Sequence, residues 1–189
     1  MWAKAALAGF LGGLLISCAA DSPEVVDAEL SHLSNAAAAG VSTIERALRD
    51  GRMMTPATGD GSPGLIGEGL RAVDAATRAL SRLEDDPRAS EAQRLDAVVR
   101  QARAWDDAAR VIAFAWHGVD DLDEAQRSLT AALLEEKAFP ARVAARNSYE
   151  RALRTACSAS LQGHPAWPEI VDGVLRHGDA FTGDPCGIR

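Results

Sequence analysis

The sequence predicts an all-α protein, an antiparallel helical bundle of four to five longer helices plus a short C-terminal helix. Three observations carry this. Strand formers are scarce, with one Tyr, four Phe and no sustained alternation of apolar and polar residues. Apolar residues return instead at steps of three and four, the period of one helix face. Gly and Pro clusters are few and widely spaced, leaving long segments without breakers and short connections between them. This is the pattern of a bundle whose Ala-rich faces let helix axes approach closely.

In chain order, Ser22-Pro23-Glu24 reads as an N-cap, a Pro in the first turn and an early acid. Val26, Leu30, Leu33, Ala37, Val41, Ile44 and Leu48 then follow at helical spacing up to Gly51. Residues 52–64, with Pro56, Gly59, Gly61, Pro63 and Gly64, read as a loop. A second helix is expected from Leu65 to Glu84 on Ile66, Leu70, Val73, Ala76, Leu80 and Leu83, stopped by Asp85-Asp86-Pro87. Ser90-Glu91-Ala92-Gln93 is a capping box, and Leu95, Val98, Ala102, Trp105, Ala109, Ile112 and Trp116 follow it in strict three-four alternation. This is the expected core helix.

Acids at Asp120, Asp121, Asp123 and Glu124 open a fourth helix carrying Leu122, Leu129, Leu133 and Leu134, expected to end near Phe139-Pro140. A fifth is expected over about 141–161, with Val143, Tyr149, Leu153 and Cys157 on one side and Gly163-His164-Pro165 closing it. Pro168 begins a short last helix reaching Arg176, and 178–189 reads as irregular.

The 189 residues allow one domain with a hydrophobic core, and 47% apolar with 25% charged residues is the balance of a folded chain, not of an acidic tail. The formal charge is -7, and Lys4 is the only charged side chain before Cys18, so the remainder is more acidic still. The arginines are interleaved with Asp and Glu and build no basic stripe, which excludes nucleic acid as an expected partner.

The N-terminal segment carries a different signal. Met1 to Lys4 supplies one positive charge, and Ala5 to Ile16 is an apolar run of 12 residues, too short to span a bilayer and the length of a signal-peptide core. Leu15-Ile16-Ser17-Cys18 closes the run. This motif resembles the lipobox of bacterial lipoproteins, in which an aliphatic residue, a small or aliphatic residue and a small residue precede the cysteine. The resemblance covers the export signal alone. It implies that Cys18 receives diacylglyceryl, palmitate-type acyl chains, becomes the first mature residue and anchors the protein, since two or more acyl chains give stable attachment. In Gram-negative members an Asp after the cysteine favours the inner membrane. Ala19 stands there, so the resemblance implies the outer membrane, facing the periplasm. The expected organisation is a signal peptide over 1–17, a lipid-anchored tether over 18–21 and one helical domain over 22–189. Ordinary secretion with cleavage after Ala20 is the competing reading.

In an exported chain, Cys157 and Cys186 are the remaining cysteines and are expected to form a disulfide. Closing a loop of about 30 residues is worth roughly 3.5 kcal/mol on the chain-entropy account. Cys157, His164, His177 and Cys186 also make a Cys₂His₂ set, but the wide, irregular gaps differ from the close pairs of zinc sites. His117 beside Asp120, Asp121, Asp123 and Glu124 reads as a helix start, since acids there are favoured by the dipole and the EF-hand ligand order is missing.

Gly59-Asp60-Gly61-Ser62-Pro63-Gly64 matches G-x-G-x-x-G without the strand that a dinucleotide site needs. Met53 and Met54 read as loop residues touching the core. Trp105 and Trp116 return to nearly the same helix face, either as core or as the wall of a ligand pocket between helices. There is no C-x-x-C-H, G-x-S-x-G or H-E-x-x-H, and neither cofactor nor metal is expected. The leading expectation is a non-catalytic envelope lipoprotein whose bundle face meets an envelope protein or a second copy. A carrier or sensor of a small hydrophobic ligand comes second, and an unrecognised hydrolase or metal-dependent enzyme third.

Overall fold

The computed structural model of the chain describes residues 23–49, 65–114, 123–177 and 186. The leader with Cys18, the expected loop at 52–64, Trp116, His117, Asp120, Asp121 and most of the tail lie outside the described residues. Five helices account for nearly all of the rest: α1 (Pro23–Arg49), α2 (Leu65–Glu84), α3 (Glu91–Phe114), α4 (Glu124–Ser158) and α5 (Trp167–His177). No strand occurs among the described residues, and the fold is a helical bundle. None of these helices is long and apolar enough to cross a membrane.

The directions follow from which residues meet. Val26 and Leu30 of α1 pack with Leu80 and Leu83 of α2, while Ile44 and Ala47 pack with Ile66 and Val73, so α2 returns along α1. The turn between α2 and α3 is tied by Asp86, whose Oδ1 accepts the Arg88 backbone N–H at 2.8 Å while its carboxylate receives the Arg88 guanidinium. That side-chain bond, with the backbone bond, holds the Asp86 carboxyl down at about 2. The capping box is formed in both directions: Gln93 N–H donates to Ser90 Oγ at 3.2 Å, and Ser90 N–H donates to Gln93 Oε1 at 3.0 Å.

α3 is buried on more than one side. Ala97 joins the cluster of α1 and α2, Leu95, Val98 and Val99 pack with Ala152, Leu153 and Ala156 of α4, and Ala108 and Ile112 meet Ile44 and Val73. It is therefore the helix around which the others are arranged.

Two expectations near the C-terminal half need correction. The separate fourth and fifth helices are one continuous α4, with Pro140 inside it. Pro140 cannot donate to the Glu136 carbonyl, a loss worth about 3 kcal/mol in an isolated helix. Ala138, Ala141 and Ala145, on both sides of it, are buried while Pro140 itself is exposed, so packing holds the helix across the break. The expected end at Leu161 with Gly163 as the stop is also displaced. α4 ends at Ser158, Leu161 N–H reaches Ala156 O at 2.7 Å, Ser160 N–H reaches Cys157 O at 3.3 Å, and Ser160 takes a φ of 55°. This is a Schellman cap with serine at the left-handed position that glycine usually fills.

The closest approach of α1 and α2 depends on two glycines. A Cβ on Gly69 would lie 2.6 Å from the Gly40 carbonyl oxygen, and one on Gly40 would lie 2.8 Å from the Gly69 oxygen. Replacing Gly in a helix by Ala ordinarily gains about 1 kcal/mol. Here Gly69→Ala is expected to destabilise by about 1–3 kcal/mol, because backbone cannot yield as a side chain can. Gly163→Ala, whose Cβ meets nothing within 4 Å, is expected to leave stability unchanged or slightly raised. Urea unfolding of the two variants checks the contrast.

Candidate functional site

The interior of a bundle tolerates polar side chains only where partners satisfy them. α3 carries three of the buried polar residues, Gln93, Gln101 and Asp106, and each reaches a different neighbour. Gln93 Nε2 donates to Pro23 O at 2.9 Å and Asp27 Oδ1 at 2.8 Å on α1. Gln101 Nε2 donates to Glu84 Oε1 of α2 at 2.6 Å, and its Oε1 accepts from Arg151 Nη2 of α4 at 2.6 Å. Asp106 holds α5.

Asp106, Arg176, His177, Asp172, Arg103 and Glu169 form a cluster of titratable groups between α3 and α5. Asp106 is 7% exposed. Its Oδ2 accepts from Arg176 Nη1 at 2.6 Å, and its Oδ1 lies 2.8 Å from His177 Nε2, the donor of that pair because a carboxylate only accepts. Arg176 also pairs with Asp172 one turn back, and Arg103 Nε donates to Glu169 Oε1 at 3.0 Å. The His177 ring stacks on Tyr149, centroids 6.0 Å apart and planes 16° apart. Room for the phenol ring comes from Gly173 of α5, where a Cβ would meet Tyr149 Cδ1 at 2.5 Å. Burial, and then the negative charges of Asp106 and Glu169, push the Tyr149 hydroxyl well above its ordinary range.

An Asp–His pair can orient an imidazole for general-base chemistry. Here both Asp106 oxygens are used in holding the last turn of α5. Among the described residues His177 is hydrogen-bonded to Asp106 alone, so no hydroxyl or thiol nucleophile is presented to it. The cluster reads as a latch between α3 and α5.

Other residues singled out from the sequence are dispersed. Cys157 and Cys186 form a disulfide, Cα atoms 5.6 Å apart, which ties the tail to α4. His164 Nδ1 accepts from the Ala166 N–H at 3.2 Å, and its Nε2 lies 3.7 Å from Asp96. The four members of the Cys₂His₂ set thus face different partners, and no cluster of metal-ligating side chains occurs among the described residues. Trp105 is half-buried against the α1–α2–α3 core. It does not line the open groove of about 420 Å³ formed by Ala113, Glu135, Ala138, Phe139 and Arg142. Phe139 beside that groove is 66% exposed, and Val143, one turn on, is exposed too.

Asp106 and Gln101 were not singled out by sequence reasoning, which named His177 only as a member of the Cys₂His₂ set and Arg176 only as the end of the last helix. The available signal was the run Ala97-Val98-Val99, which no single helix face can hold. It marks a helix buried on more than one face, where a polar residue needs a partner inside the protein. Compared with known families, curated proteins and solved structures, the chain matches none.

Asp106→Asn is expected to cost about 1–3 kcal/mol, since Arg176 and His177 lose the carboxylate they share. It should also speed amide exchange across 167–177 while α1 and α2 keep their protection, and hydrogen exchange with mass detection reads both. Tyr149 is the only tyrosine, so absorbance near 295 nm reports it alone. The native phenol should stay neutral above pH 10, where the unfolded chain ionises from about 10. Because the native state then holds the proton that the unfolded state releases, stability should fall as pH rises beyond 10.

Proposed function

We propose that the chain is a bacterial envelope lipoprotein, anchored through acyl chains on Cys18, whose helical domain acts by contact rather than by catalysis. One observation carries the reading: Leu15-Ile16-Ser17-Cys18 stands at the end of an apolar run of 12 residues, where a lipobox is placed. Absence of Asp at position 19 favours the outer membrane of a Gram-negative host.

The buried polar groups support the non-catalytic half of the proposal. Gln93, Gln101 and Asp106 are all consumed in bonds between helices. Among the described residues the exposed large apolar side chains are Phe114, Phe139, Val143 and Leu175, and of these Phe139 lines the groove, with Val143 one turn on. A carrier of small hydrophobic ligands is less well supported, because the groove is open and flanked by Glu135 and Arg142, while ligand sites bury most of what they bind.

Expressed with its own leader in a Gram-negative host, the wild-type chain should fractionate with membranes and need detergent for release. Cys18→Ser should move it from essentially all membrane-bound to mostly soluble, because each buried CH₂ lost costs about 0.8 kcal/mol of membrane affinity. Labelling with radioactive palmitate should disappear in the same variant. Unchanged sedimentation of Cys18→Ser with vesicles would refute the anchor.

A further inference from the structure

We propose that the face of α4 centred on Phe139 is a two-fold interface with a second copy of this chain. The inference rests on the contact-domain reading above and names its partner.

Three features of one helix face support it. Phe139, Pro140 and Val143 are adjacent and exposed in the middle of α4. A large ring left 66% exposed beside an open groove of about 420 Å³ has a receptor of suitable size next to it, and a two-fold axis would seat each ring in the other copy's groove. The charges are also arranged by sign. Glu135 and Glu136 precede Phe139, with Lys137 the one basic residue on that side, and Arg142 and Arg146 follow it.

That polarity selects the partner and its direction. Glu136 lies three residues before Phe139 and Arg142 three after, so an antiparallel copy related about Phe139 faces Glu136 with Arg142 twice. A parallel copy would set acid on acid and arginine on arginine. Glu136 pairs locally with Lys137 and Arg146 with Glu150, but exposed pairs of this kind are worth at most about 1 kcal/mol and exchange readily. Attachment to one membrane would raise the effective concentration of the two copies further.

The test uses the full lipidated chain in mild detergent, followed by sedimentation velocity over a concentration series. The wild type should form a reversible dimer. Phe139→Asp should weaken it by at least about tenfold, since a hot-spot ring is lost and a charge put in its place. Glu136→Arg or Arg142→Glu alone should each weaken it about tenfold, because every interface contains the changed pair twice. The double reversal E136R/R142E should return the dissociation constant to within about threefold of wild type. A foreign partner with fixed charges would not be rescued that way.

Circular dichroism melts matching wild type keep a folding defect from imitating the effect. A monomeric wild type, or a double variant no better than either single one, overturns the inference. Membrane attachment is scored in the same cells. A chain that attaches through Cys18 and stays monomeric defeats the dimer alone, and one that dimerises without attaching defeats the anchor alone.

Discussion

The arrangement depends on α3 being packed against its neighbours on most sides, with the stripe of Asp96, Arg103, Asp107 and Arg110 left toward water. A polar side chain on one of its enclosed faces cannot reach water, and Gln93, Gln101 and Asp106 are each matched by a group on the helix opposite. Gln93 is matched from α1, Gln101 from α2 and α4, and Asp106 from α5. Apolar burial of Leu95, Val98, Val99 and Ile112 supplies the bulk of the stabilisation. It is non-directional and would tolerate a helix slipped by a turn. The three polar residues do not tolerate it, because a slipped neighbour would leave a buried amide or carboxylate without its partner, at about 1–3 kcal/mol each.

The same logic separates the two ends of the molecule. Toward α5, Asp106, Arg103, Glu169, Asp172, Arg176 and His177 are paired among themselves, and Cys186, disulfide-bonded to Cys157, packs against the core cluster that α5 joins. Around the middle of α4, by contrast, Phe139 and Val143 are left outside with charges of opposite sign on either side. The charges toward α5 hold helix to helix, while those around Phe139 pair only within α4, Glu136 with Lys137 and Arg146 with Glu150.

Legibility in the sequence follows the distance over which a signal acts. The bounds of α2, the Ser90–Gln93 capping box and the buried stripe of α3 were all readable, because their causes lie within a few residues. The continuity of α4 through Pro140 was not, since the local rule for proline is overridden by alanines packing on the core on both sides of it. Ser160 escaped notice for a related reason: a left-handed serine has no signature of its own, while Gly163 nearby supplied the usual one without filling the role. The Asp106 latch joins residues about seventy positions apart, and no local pattern pairs an aspartate with a particular arginine at that range. Only the apolar run in α3 hinted that its polar residues were spoken for.

An alanine-rich interior also bears on where large rings can go. Small side chains bury little area each, so the bundle gains cohesion by bringing axes close, and at Gly40 and Gly69 the approach is closer than any Cβ allows. Close axes leave no gap for a ring unless the opposite helix gives way, and Tyr149 is admitted because Gly173 does so. Phe139 is largely exposed. The exposure of Phe139 is then a consequence of how tightly the interior is drawn together. A ring with no room inside its own fold gains from burial only against another surface, and the groove beside it has the size and the flanking charges for that.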